Sequence, residues 1–318
     1  MSRTMSVVRV LSLTALLLGL IAGPRGTRLT AASESNSSAI SSTDVQVQHV
    51  FVVMLENHSY SSVIGSSSMP YLNRLAKSYA YAKSYYANTH PSVGNYFMLT
   101  TGQIISNDDS YTQTVTADNV VRHLISAGKT WKEYTEGLPY VGYTGGNSGE
   151  YTEHHNPLSY FSDVRNSTAQ RQNLVPFTHF STDLFNHALP RYSFIVPDND
   201  HNGHDCPDTI PYCTDSEKLA AVDSWLQTNI EPLVLSSDFN ATHGGMLVIV
   251  FDESTDSIQG GGHVAWVVVG PSVKKGYVST TLYQHPSTLR LVSEAVGLTT
   301  FPGAAATAPD MEEFILGD

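Results

Sequence analysis

Two unbroken apolar runs in this chain end in acid. Val50-Phe51-Val52-Val53-Met54-Leu55 leads straight into Glu56-Asn57, and Met246-Leu247-Val248-Ile249-Val250-Phe251 leads straight into Asp252-Glu253. An apolar run without alternation suits a strand covered on both faces, as inner strands of a parallel sheet are. Parallel strands need crossover connections, and helical patterns lie between the runs and beyond the second. They are Pro70 to Lys83, Tyr96 to Thr101 stopped by Gly102, Asp118 to Ala127 stopped by Gly128, Asp215 to Ile230, and His285 to Val296. Further strands are expected at Thr130 to Tyr134, Arg191 to Val196 and Val264 to Val269. Strands alternating with helices predict an α/β fold, a mostly parallel central sheet flanked by helices. In open sheets of this kind ligands bind at the C-terminal strand edge, where both acidic tips would stand.

The ends of the chain read differently. Residues 1–32 carry a basic start (Arg3, Arg9), an apolar stretch from Val10 to Ala22 and small residues at Ala31-Ala32. This is the pattern of a signal peptide, which makes the chain secreted or periplasmic. An uncleaved anchor is the alternative, although the stretch is short for a span, and no later segment is long and apolar enough to give a stable membrane span once the signal is removed. Residues 33–45 read as a flexible linker, 46–300 as the functional domain, and 301–318 as a loose tail. Cys206 and Cys213 are the two cysteines, and in an exported chain they read as a small-loop disulfide beside His204-Asp205. A metal pair is the weaker reading, since no further thiolate completes a site.

The formal net charge is −12, and four of the 17 Lys and Arg (Arg3, Arg9, Arg25, Arg28) fall in the first 28 residues. Binding to nucleic acid rests on such cations, so no nucleic-acid partner is expected. An acidic protein that handles phosphate needs a metal ion to neutralise it.

Residues 88–97, Asn-Thr-His-Pro-Ser-Val-Gly-Asn-Tyr-Phe, place Ser92 at the start of a helix. A helix start favours anions, so the hydroxyl is a candidate nucleophile beside a phosphate-sized site; a plain N-cap is the other use of such a serine. Glu56 with Asn57, and Asp252 with Glu253, are hard oxygen donors suited to a divalent cation, whether Ca²⁺, Mg²⁺, Mn²⁺ or Zn²⁺. His204 and His263 stand at two further strand edges, and His155 lies in a loop-rich stretch, 137–177, where it either faces the site or packs. Oxygen ligands, a metal-activated hydroxyl and imidazoles together suit displacement at phosphorus.

Taken in order, Glu56-Asn57-His58-Ser59, Thr89-His90-Pro91-Ser92-Val93-Gly94-Asn95-Tyr96, His155-Asn156-Pro157, His204-Asp205, Phe251-Asp252-Glu253 and Gly261-Gly262-His263-Val264 resemble the secreted phosphoesterase family. That family groups bacterial acid phosphatases with non-specific phospholipases C, in the alkaline phosphatase superfamily. The likeness spans roughly residues 47–298. It implies that Ser92 forms a phosphoserine, that Glu56, Asn57, Asp252 and Glu253 bind the metal with Ser92 reaching it, and that Asn95 contacts phosphoryl oxygens. It further implies that His204 and His263 stabilise charge or assist the leaving group, with His155 and Asp205 alongside. Gly94 stands where Pro often precedes the Asn, and His201-Asn202 where an Asn-Asp pair is frequent. The compact length resembles the acid phosphatases, so the implied activity is hydrolysis of small phosphate monoesters. A phosphodiesterase of the phospholipase C type, taking a phospholipid headgroup, is the second reading. A catalytically idle surface binding module is the third.

Overall fold

The computed structural model describes residues 46–210 and 212–317; the expected signal peptide, 1–32, and linker, 33–45, lie outside the described residues. Eight strands form one sheet: β1 (His49–Leu55), β2 (Ala80–Tyr86), β3 (Trp131–Thr135), β4 (Leu174–Pro176), β5 (Tyr192–Val196), β6 (Gly245–Phe251), β7 (Trp266–Val269) and β8 (Tyr277–Gln284). Their order is β4-β3-β5-β1-β6-β7-β2-β8. Every neighbouring pair is parallel except the two that involve β7, which runs against the rest. The sheet is flanked by helices, the longer being α1 (Pro70–Ser78), α2 (Ser92–Thr101), α3 (Val120–Ser126), α4 (Thr178–Phe185), α5 (Asp215–Asn229) and α6 (His285–Ala295). α1 packs against α5, and α2 against α6.

β1 and β6 are the predicted inner strands: Val50 to Leu55 and all of β6 are buried. They pair in register from His49 with Gly245 to Leu55 with Phe251. Glu56 and Asp252 therefore leave the sheet side by side, and the Asp252 N–H still donates to the Leu55 carbonyl (2.9 Å). Because β7 is reversed, the glycine-rich segment before it arrives at this same edge. The chain leaving β2 lies directly on that segment: Ala87 N–H donates to Gly262 O (2.9 Å) and Gly261 N–H to Ala87 O (3.1 Å). Gly260 has φ +110°, and a Cβ at Gly261 would stand 2.5 Å from the Thr89 carbonyl oxygen. The three glycines thus let residues 87–89 cross at backbone contact.

The structure differs from the sequence reading in several places. The helix expected to Lys83 ends at Ser78, and 80–86 is a strand instead. Ala80, Ala82 and Tyr85 point inward with a period near two, and packing against β7 and β8 overrides the helix propensity of alanine. β8 carries too little burial to show as a strand in the sequence, as befits an edge. The tail is not loose: Ala305, Met311, Phe314 and Ile315 are buried, and the Lys274 N–H donates to Phe314 O (2.9 Å). Cys206 and Cys213 form a disulfide. No helix among the described residues is long and apolar enough to cross a membrane.

Candidate active site

Ser92 is the first residue of α2, and its hydroxyl does not cap the helix; Pro91 occupies the N-cap with no side-chain bond. The Ser92 side chain, 5% exposed, turns to the acidic tips instead. Its hydroxyl donates to Glu56 Oε2 (3.1 Å) and reaches Glu253 Oε1 (3.5 Å). The segment before it is tied down by Asn95. Asn95 Oδ1 accepts from the N–H groups of Asn88 (3.0 Å) and Thr89 (3.2 Å), and its amide donates to Thr89 O (2.8 Å) and Glu253 Oε2 (3.4 Å). Fully buried, Asn95 ties down the serine loop, and its amide also reaches the acid cluster at Glu253. At Gly94 a Cβ would collide with Asn107 Oδ1 and the Thr89 side chain, which explains glycine at that place.

Three carboxyl groups surround the hydroxyl. Glu56, 0% exposed, accepts from the Tyr96 hydroxyl (2.6 Å) and lies 3.2 Å from His155 Nε2. Asp252 accepts the Asn57 N–H at Oδ1 (2.9 Å), while its buried Oδ2 has no hydrogen-bond partner. Glu253 accepts from Asn57 Nδ2 (3.0 Å) and lies 2.8 Å from His90 Nδ1. Asn57 holds its place with φ +55°, a left-handed backbone that asparagine tolerates better than most residues. Burial drives all three acids upward: Glu56 to about 8, Glu253 to about 8, and Asp252 well above the carboxylate range. Mutual repulsion adds to each, as three acids in one dry pocket cannot all ionise without a counter-charge. Among the described residues the groups within ion-pair distance of them are the imidazoles of His90 and His155, and neither Lys nor Arg pairs with them. Burial, followed by the charges of His154 and His204, holds His155 well below the ordinary imidazole range.

The sequence-selected residues do not all meet. Glu56, Asn57, Ser92, Asn95, His155, Asp252 and Glu253 form one hydrogen-bonded cluster. His204 and Asp205 are exposed on the neighbouring loop, where both N–H groups donate to Asn202 Oδ1 (2.7 and 3.0 Å). His263 is not brought to the acids. It stacks between Tyr60 (4.3 Å) and Tyr86 (4.8 Å), with Nε2 2.8 Å from the Lys83 carbonyl oxygen.

The sequence model of the phosphoesterase family matches residues 66–299. The chain belongs to the phosphoesterase family. This places it among the phosphoric ester hydrolases. The chain is 29% identical over 272 residues to a phosphatidylinositol-3-phosphatase of Mycobacterium tuberculosis, covering 85% of this chain and 83% of that protein. It is 30% identical over 255 residues to a probable acid phosphatase of Kluyveromyces lactis, covering 76% of this chain and 56% of that protein. The chain therefore spans little more than half the length of this fungal relative. A crystal structure from Vibrio parahaemolyticus, described as a protein in the alkaline phosphatase superfamily, matches with TM-score 0.57 at 12% identity, covering 81% of this chain and 68% of that one. The fold of the family member described here is thus that of the superfamily.

Two members of the cluster carried no role in the sequence reading. Tyr96 sits in an apolar run, where tyrosine reads as packing, yet its hydroxyl donates to Glu56 at 2.6 Å, closer than Ser92 or His155 stands. His90 stands in the serine motif, but its reach to Glu253 depends on a long-range crossing of loops. Beyond the cluster, two other acidic groups have ligand atoms close enough to hold a cation: Glu136 with Asp198 and His201, and Glu150 with Asp200 and Asp208.

Proposed function

We propose that this chain is a secreted, divalent-cation-dependent acid phosphatase that hydrolyses small phosphate monoesters through a phosphoserine at Ser92. The observation that carries the reading is the Ser92 hydroxyl, turned away from helix capping and held between Glu56 and Glu253. The donor set fits a hard divalent cation: buried acids without Lys or Arg, and an Asp252 oxygen with no partner. Glu56, Asn57, Asp252 and Glu253 would hold it, with Ser92 in reach. When bound, such an ion neutralises phosphoryl charge and lowers the pKa of a hydroxyl.

The chain's own groups do the rest. Ser92 Oγ–H points at Glu56 Oε2, so its proton leaves towards that carboxylate as Oγ bonds to phosphorus. Tyr96 and His155 orient Glu56 for this exchange. The bond from phosphorus to the ester oxygen breaks, and His204, exposed on the rim, gives a proton to the departing alcohol. Water then attacks the phosphoserine and gives its proton to His204; the phosphorus–Oγ bond breaks, Ser92 Oγ takes back its proton from Glu56, and inorganic phosphate leaves.

The names of relatives support the substrate class, since acid phosphatases and a phosphoinositide 3-phosphatase both act on phosphate monoesters. The signal-like start and the disulfide support export. Ser92→Ala tests the assignment. Turnover of an aryl phosphate is expected to fall by at least roughly a thousandfold with an unchanged circular dichroism spectrum. Wild-type turnover in that variant contradicts it.

A further inference from the structure

Glu133 stands in the middle of β3, 0% exposed, and takes no part in the chemistry above. An acid in the interior of a strand needs a reason, because burial without a cation drives it well above its ordinary pKa. The hydrogen bonds of its side chain go to one segment, residues 156–158. The Leu158 N–H donates to Glu133 Oε1 (3.3 Å). The Asn156 amide, oriented with its NH₂ towards the acid, donates to both Glu133 oxygens (3.0 Å to Oε1) while its own oxygen accepts from the Tyr151 hydroxyl (3.0 Å). A neutral Glu133 donating to the Asn156 oxygen closes the same network with the amide reversed.

Asn156 is the joint between two single-turn helices, Glu153–His155 and Pro157–Tyr160. The residue before that joint is His155, whose ring stacks on Tyr96 (5.2 Å, 19° between planes) and reaches Glu56 Oε1. We propose that Glu133 is a positioning residue for the reaction, acting through Asn156 and the Leu158 N–H to hold His155 against Glu56 and Tyr96. The inference rests on His155 serving the active cluster.

The test uses the full-length, divalent-ion-loaded protein and an aryl phosphate. Glu133→Ala is expected to lower kcat roughly tenfold to a hundredfold with KM little changed, the scale of a misplaced group near the chemistry. Glu133→Gln keeps partners for Asn156 and Leu158 and is expected to restore kcat to within about threefold of wild type. In a His155→Ala background, Glu133→Ala is expected to change kcat by less than about twofold, because coupled residues are non-additive. An undiminished loss in that background, or a wild-type kcat for Glu133→Ala, overturns the proposal. If Glu133→Ala does not fold, Asn156→Ala carries the same comparison. A wild-type kcat for His155→Ala alone would remove the role of His155, a separate failure from that of Glu133.

Discussion

Two acidic groups stand on the same strand edge and are neutralised in opposite ways. At the ends of β3 and β5, Glu136 and Asp198 close on His201, whose Nδ1 lies 3.1 Å from an oxygen of each. The Asp198 and Glu136 carboxylates push that imidazole up to about 10, so this half-exposed group carries its own cation. At the ends of β1 and β6, Glu56, Asp252 and Glu253 are deeper, and no imidazole stands between them. A hydroxyl stands there instead. The first arrangement is a satisfied ion-pair lock on a loop; the second is an acid pocket whose neutrality must come from outside the chain. Spacing of ligand atoms alone would favour the first as a metal site. Burial and missing counter-charge favour the second.

Removing one charge from the second group breaks the contrast most sharply. Asp252→Asn is expected to lower turnover by at least about a hundredfold, as loss of a charge-stabilising group does. The same change is expected to raise the stability of the metal-free protein by about 1–3 kcal/mol at pH 8, since an amide can donate where an unpartnered oxygen now sits. Activity in the wild-type range, or a less stable metal-free protein, counts against it.

The pH dependence of the metal-free protein is a smaller effect with a definite sign. Acids raised in the fold bind more protons folded than unfolded, so their contribution to stability is full below their ordinary pKa and is lost as pH rises towards the folded value. With Glu56 and Glu253 near 8, the unfolding midpoint in chelator is expected to fall between about pH 5 and pH 8. A divalent cation is expected to raise the midpoint, more so at the alkaline end. A midpoint that rises with pH in chelator contradicts the account.

At the first group the effects are the smallest. His201 is raised, so its ion pairs stabilise fully below about pH 6.5, and that gain is lost as pH climbs towards 10. Its side chain is more than a third exposed, so His201→Ala is expected to cost within about 1 kcal/mol near pH 7. Turnover is expected to stay within about threefold of wild type, an amount that RT makes less than about 1 kcal/mol. A loss as large as that of Asp252→Asn would make the two groups equivalent.

The contrast also marks what a sequence can show. β1, β6 and their acidic tips were legible because burial on both faces writes an unbroken apolar run, and register then forces Glu56 beside Asp252. α2 was legible from its glycine stop. β2 and β8 were not, since alanines and a mostly exposed edge carry little hydrophobic signal. The sequence reads Asn95 as a ligand-facing amide; the structure adds backbone partners six and seven residues back, a local geometry that residue type does not reveal. His263 reached the right edge because β7 is reversed, and two tyrosines from distant segments then captured its ring. Glu133 and Tyr96 were hidden for the same reason: a polar group inside an apolar element is recognisable only by what packs against it.

Acid quenching during turnover of an aryl phosphate, followed by mapping of the phosphorylated peptide, tests the central claim most directly. The account predicts covalent phosphate on Ser92, dependent on the divalent ion and absent in Ser92→Ala. Phosphate on another residue, or steady turnover with no phosphorylated protein at any quench time, would contradict it.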